Sequence, residues 1–268
     1  MTQKEFLKKI SSKEGITMKT MSHDYILQLS KNGRTKHIFG AYWDLNSAAA
    51  DRIACDKCAC YHILNNNKIS AIQHELLNNP QQRQAWLLNR PGVWQQALKY
   101  FRLFGQKAVL KPVQGTMGQD IFFCETIPDL EAATHAIFTT QPNAAISPLM
   151  EIINEYRVFY VCGESMFAYG KSANQLGQHN LAKGAKAFEI HEKELINNLS
   201  QLASKAAKAI GINFATVDIA LLKSGQFSIM EINSGVQAKF LTEQLPHLED
   251  TILQIYSKAV ENLFNSYR

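Results

Sequence analysis

Apolar positions along this chain alternate between short period-two runs and longer helical stripes, and the two kinds interleave from one end to the other. In the first fifty residues, strand-like pieces at 25–29 and 37–39 flank Lys31-Asn32-Gly33-Arg34, a turn that suits a hairpin because Asn and Gly accept positive φ. The period becomes helical over 48–65, Asn66-Asn67 breaks it, and 69–74 reads as a short strand. A helix is predicted from about Pro91. Two apolar runs, 107–112 and 121–124, enclose Gln114-Gly115-Thr116-Met117-Gly118, which predicts strand, glycine loop, strand. Residues 129–138 predict a helix, and 155–161 and 165–169 predict strands paired about Cys162-Gly163-Glu164. A long amphipathic helix over 195–210 stops at Gly211, a suitable residue just past a helix end. Strands over 215–222 and 227–232 flank Lys223-Ser224-Gly225-Gln226, and a closing helix starts near Leu248.

Composition narrows the class. With 268 residues and 46% hydrophobic content the chain can bury a sizeable core, as one compound domain or two small ones. No stretch approaches the roughly 18–20 apolar residues of a membrane span, and residues 1–15 carry charges where a signal peptide is apolar. A cytoplasmic chain with no membrane partner is expected. Five cysteines, an odd number in a chain too long to need staples, predict reduced thiols, in keeping with that compartment. The net charge of +5 invites a nucleic-acid reading, but Lys and Arg are scattered and no nucleic-acid module signature is present. A small phosphate-bearing ligand accounts for part of the excess, so no nucleic-acid partner is expected.

Two groups of residues carry candidate chemistry. Lys111 ends an apolar strand and is followed by Gly115 and Gly118; glycines let backbone N–H groups approach phosphate oxygens, and the lysine adds a fixed positive charge. The order, lysine before glycines, is not that of a Walker A loop. Asp218, Glu231 and Asn233 stand inside apolar strands joined by a short turn, where charge is costly unless paired or metal-bound. Such hard oxygen donors suit Mg²⁺, with Mn²⁺ as a substitute. Other clusters read as structural: Cys55, Cys58, Cys60 and His62 lack a second ligand pair for zinc, and Trp86, Trp94, Phe101 and Phe104 have the spacing of helix cores.

Taken in order, these residues resemble the ATP-grasp superfamily, in particular the ribosomal-protein glutamate ligases and related carboxylate–amine ligases, over about residues 56–235. The resemblance implies an α+β fold in which two subdomains clasp ATP. It places a short β-containing N-terminal lobe at 1–50, a central and lid subdomain at 51–145, and a C-terminal subdomain with the metal site at 146–268. It puts Lys57, of the pair Asp56-Lys57, and Lys111 on the nucleotide phosphates, with Gly115, Thr116 and Gly118 in a loop closing over them. Met150, Glu151 and Ile152 would form the adenine hinge and Glu155 would meet the ribose. Lys171, Asn180 and Lys183 would attend the transferred phosphate, and Asp218, Glu231 and Asn233 would hold Mg²⁺.

The implied activity is that of an ADP-forming C–N ligase working through an acyl phosphate, with ATP, a small carboxylate, and an amine or peptide tail as partners. The alternatives are a phosphotransferase acting on a hydroxyl and a non-catalytic nucleotide-binding partner. Three departures from the family pattern stand out. Asn233-Ser234-Gly235-Val236 replaces the usual ending of the metal strand, Gln178-His179 replaces an Arg-Ser pair, and only 55 residues precede Asp56.

Overall fold

Three antiparallel sheets organise the fold in a computed structural model that describes residues 1–79, 92–115, 120–175 and 177–265. Helix α1 (Gln3–Glu14) starts at a capping box between Thr2 and Glu5 and stops at Gly15 in the left-handed conformation. The hydrophobic pattern did not announce this helix, because only Phe6, Leu7 and Ile10 mark its buried side among lysines and serines. The first sheet follows as a meander of β1 (Thr17–Met21), β2 (Ile26–Lys31), β3 (Arg34–Phe39) and β4 (Tyr42–Trp43), the expected hairpin turning on Asn32 and Gly33, both at positive φ.

The single helix expected over 48–65 is two: α2 (Ala48–Cys55) and α3 (Lys57–Asn66). Asp56 separates them in extended conformation, and its carboxylate accepts hydrogen bonds from the amides of Cys58 and Ala59 at 3.0 and 2.9 Å. The strand expected over 69–74 is instead a tether, with Ile72 N donating to Ile229 O and Ile229 N donating to Ser70 O. The second sheet then forms from β5 (Glu75–Asn78), β6 (Ala108–Pro112), β7 (Phe122–Cys124) and β8 (Asn143–Pro148), in the order β5-β8-β6-β7. Helices α4 (Val93–Leu103) and α5 (Ile127–Thr140) cover one face around Leu77, Phe101, Leu110, Leu130 and Ile146.

The third sheet contains β9 (Ile152–Val161), β10 (Glu164–Ser172), β11 (Lys186–Glu189), β12 (Phe214–Leu222) and β13 (Phe227–Asn233), in the order β11-β10-β9-β12-β13. One face packs on α2, α3 and α6 (Lys193–Ile210), whose Leu199, Ala203, Ala206 and Ala207 are fully buried; small side chains bring that helix close. The other face is divided. At one end Phe159, Val161 and Phe214 are buried beneath the first sheet, α1 and α8 (Glu249–Asn265), around Phe6, Trp43 and Tyr256. At the other end the same face carries charge. A short helix, α7 (Lys239–Gln244), links β13 to α8. Among the described residues no helix is long and apolar enough to cross a membrane.

Candidate active site

The division of that face follows from the alternation in β9, where Glu155, Arg157, Phe159 and Val161 all point to one side. Tyr169, Arg157, Asp218 and Glu231 lie opposite one another across four strands, and Lys171 pairs with Glu155 one row further along. Register therefore gathers these charges without help from any loop. Arg157 donates from Nε to Asp218 Oδ1 at 2.7 Å and from Nη2 to Oδ2 at 2.6 Å, a two-pronged pairing. Lys171 Nζ donates to Glu155 and, at 3.2 Å, to Asp218 Oδ1. Asp218 is 1% exposed and Lys171 3%, so each charge depends on its partners. Burial pushes the Asp218 carboxyl up, but Arg157 and Lys171 outweigh it and hold the group well below the usual carboxylate range. Gly170 precedes Lys171 because a Cβ there would stand 2.0 Å from the Phe188 ring of β11.

Two lysines approach from other elements. Lys57 is the first residue of α3, where a positive charge opposes the helix dipole and brings no stability of its own. The Asp56 cap fixes it there, its amide donates to Val113 O at 3.4 Å, and its Nζ lies 3.3 Å from Gly115 O and 3.9 Å from Glu231 Oε2. Lys111 projects from β6, across which Leu76, Ala145 and Lys111 share one row. Burial, then the neighbouring Lys57, lower it to about 8. Asn233 turns its Nδ2 toward Asp218 Oδ2 at 3.3 Å and Glu231 Oε1 at 3.2 Å, so its Oδ1 faces away from both carboxylates.

This donor set fits Mg²⁺. Among the described residues no three His, Cys, Asp or Glu side chains form a cage of their own, whereas Mg²⁺ takes one or two carboxylates and completes its shell with phosphate and water. Glu231 and the Asn233 amide oxygen supply such ligands, with Asp218 beside them engaged by Arg157.

The remaining predicted residues fall into three groups. Met150 and Ile152 pack with Ile72, Ala220, Leu222 and Met230 in a small apolar cluster at one end of the third sheet, while the Glu151 carboxylate turns outward to Lys223 Nζ at 2.7 Å. Asn180 caps a single helical turn, Leu181–Lys183, by accepting from Ala182 N; Lys183 is exposed, and neither joins the charged row. Thr116 and Gly118, with Trp86, lie outside the described residues. Cys58 and Cys60 are buried in separate clusters, and burial pushes both thiols up to about 12.

Sequence reasoning missed Arg157, although the signal was there: a lone arginine in an alternating strand, at a position bound for a buried face. It also missed Asp51, and it noted Cys55 only within a structural cysteine cluster and Ser234 only within an altered strand ending. Ser234 lies near the Asp51 carboxylate and opposes the rise that burial gives it, and Cys55 Sγ lies 3.7 Å from Ser234 Oγ. These contacts join parts of the chain about 180 residues apart in sequence, and no local pattern marks them.

Comparison with known proteins agrees with the geometry. The model of the RimK-like ATP-grasp domain matches residues 54–246. The α-aminoadipate–LysW ligase LysX of Saccharolobus solfataricus is 27% identical over 148 residues, 53% of each chain. A probable α-L-glutamate ligase of Azotobacter vinelandii is 30% identical over 135 residues, 49% of this chain and 43% of its own. The chain thus spans about half the length of the curated relatives it matches. Among solved structures, D-alanine–D-alanine ligase from Bacillus anthracis superposes with a TM-score of 0.63 at 15% identity, covering 82% of this chain and 70% of its own. The ATP-grasp ligase PsnB, solved with a minimal precursor, Mg and ADP, gives 0.53 at 16% identity, covering 79% and 62%. At these identities the superpositions speak for the fold, and the domain match speaks for descent. With a mixed α+β fold of three antiparallel sheets and a domain match over most of its length, the chain belongs to the RimK-like ATP-grasp family of ligases.

Proposed function

We propose that this protein is an ADP-forming C–N ligase that activates a carboxylate as an acyl phosphate and passes it to an amine. The observation that carries the reading is the convergence of Lys57 and Lys111, from two different elements, on the end of the third sheet that bears Glu231, Asn233 and Asp218. Phosphoryl transfer asks for positioning and charge neutralisation more than for a protein nucleophile, and these residues offer both.

In this reading Lys57 and Lys111 hold the α- and β-phosphates beneath Gly115, Thr116 and Gly118, and Met150 and Ile152 wall the adenine beside the Glu151 backbone. Glu155 meets the ribose by exchanging its bond to Lys171, which swings with Asn180 and Lys183 toward the transferred phosphate. Glu231 and Asn233, joined by Asp218 once it gives up part of its pairing with Arg157, would hold Mg²⁺, which when bound would neutralise charge on the phosphate oxygens. A carboxylate oxygen forms a bond to the γ-phosphorus as the bond to the β-phosphate oxygen breaks, releasing ADP. The amine nitrogen then bonds to the acyl carbon, the C–O bond to phosphate breaks, and the nitrogen loses its proton as phosphate departs. Exclusion of water protects the acyl phosphate between the two steps.

The test is ADP release across a panel of carboxylates with hydroxylamine present, read by mass spectrometry. Hydroxamate should form with the activated carboxylate, and Glu231→Gln should slow it by about 10²–10³-fold. ADP release that yields a phosphate ester and no hydroxamate would point to a phosphotransferase and sink the ligase reading.

A further inference from the structure

The last strand of the first sheet reaches α2 through Tyr42, and the outer rim of that sheet is aromatic. Phe39 and Tyr42 face each other directly across β3 and β4, with Ile38 and Trp43 on the buried side. Tyr25 meets the Phe39 ring edge-on at 4.7 Å. All three rings are exposed, at 53% for Tyr25, 52% for Phe39 and 44% for Tyr42. On the surface of a β-meander that alternates polar and apolar positions, three adjacent exposed rings form a patch that water hydrates poorly.

Three contacts tie this rim to the site. The Tyr42 hydroxyl lies 3.8 Å from Cys55 Sγ, and Cys55 stands two residues before Lys57, whose ammonium is at Glu231. Cys55 Sγ in turn lies 3.7 Å from the hydroxyl of Ser234, the residue after Asn233. A Cβ at Gly235 would come within 3.1 Å of Ala41, so the β3–β4 turn rests on the strand ending where this chain departs from its family. Behind the rim, Trp43 packs on Phe214 at 4.8 Å, in the same strand as Asp218 and on the same face. The aromatic rim is thus continuous with the cation-binding end of the site, on the side away from the hinge residues Met150–Ile152.

We propose that Tyr42, Phe39 and Tyr25 form the subsite for the amine-bearing substrate and select a side chain that is aromatic or large and apolar. The proposal rests on the ligase reading, in which an amine must approach the acyl phosphate from a side that ATP does not occupy. None of the three rings brings a charge, so selection falls on apolar area. Ser234, buried beside Cys55, forms the floor of the subsite. Cys55 spans the gap between floor and rim.

The experiment compares binding of L-phenylalaninamide and L-alaninamide to the full chain with MgADP bound, by calorimetry. Phenylalaninamide should bind at least about tenfold tighter, since burying a phenyl ring is worth more than 1.4 kcal/mol. Tyr42→Ala should bring the two amides within about twofold, Tyr42→Phe should keep most of the preference, and Leu103→Ala, at a distant exposed apolar site, should leave it unchanged. MgADP affinity, measured in parallel, reports that each variant is folded. Equal binding of the two amides by the wild-type chain, or a preference that survives Tyr42→Ala, overturns the proposal. So does concentration-dependent dimerisation that Tyr42→Ala abolishes, which would make the rim a self-association face. Selective binding without an amide product from any carboxylate in the panel leaves the subsite standing and removes the ligase reading instead.

Discussion

Burial, and then the neighbouring Lys57, lower Lys111 to about 8, so the phosphate contact proposed for it should make nucleotide binding sensitive to pH. The charged form binds phosphate, so affinity belongs to the side below that value; above it the empty protein increasingly holds a neutral amine that must regain a proton when MgATP binds. The Kd for MgATP should therefore rise by about tenfold between pH 7 and pH 9, with proton uptake visible as a buffer-dependent calorimetric heat. Lys111→Met should bind more weakly and lose that rise; a flat profile in the unaltered chain would refute the assignment. At this scale the sequence was legible where charge interrupted an apolar run. Asp218 and Glu231 stood out for that reason, and they lie side by side across β12 and β13. Arg157 stood in an equivalent setting within β9 and went unread because no motif drew attention to it. Asp51 left no sign at all, and nothing joined it to Cys55 and Ser234, because what brings the three together is tertiary.

Among the elements, the break between α2 and α3 matters most to the site. A helix running straight through Asp56 would have carried Lys57 around the axis; the cap instead restarts the helix with Lys57 in its first turn, the Cys58 and Ala59 amides being taken up by the Asp56 carboxylate. Asp56→Ala should cost about 1 kcal/mol of stability and also weaken MgATP binding, whereas Asp56→Ser, which restores a capping oxygen, should recover most of both. Thermal melting and nucleotide titration of the two variants decide it; equal affinities would mean that Lys57 does not need the cap. Pattern reading merged α2 and α3 because an aspartate inside a helical stripe looks like a solvated position. Pattern reading also passed over β8, whose sequence Asn-Ala-Ala-Ile-Ser-Pro has little strand propensity and is a strand because the second sheet surrounds it. The long, strongly amphipathic α6 was legible because its buried positions repeat with the helical period, and the β12–β13 hairpin because two apolar runs flank a glycine-bearing turn.

Over the whole molecule, the first and third sheets share one core through Trp43, Phe159, Phe214 and Tyr256, while the second sheet keeps a core of its own with α4 and α5. The backbone bonds that tie the second sheet to its surroundings include Lys57 N to Val113 O, which at 3.4 Å is long. MgATP gripping Lys57 and Lys111 together should shorten that link. Hydrogen exchange at the Lys57 amide should then slow by about tenfold or more on nucleotide binding, while amides at the centre of β9 stay as they were. Uniform slowing across both regions would argue for general stabilisation instead.

The divided face of the third sheet also bears on how the chain finds its fold. In β9 the change from charge to aromatic falls between Arg157 and Phe159, so a two-residue slip keeps every side chain on its proper face yet, in one direction, carries the arginine into the aromatic place of Phe159 or, in the other, the phenylalanine into the place beside Asp218. Such a slip leaves a buried guanidinium without its acid, at a cost of several kcal/mol. The charges proposed to serve a nucleotide therefore also proofread strand alignment, rejecting slipped registers that hydrophobic pattern alone would accept.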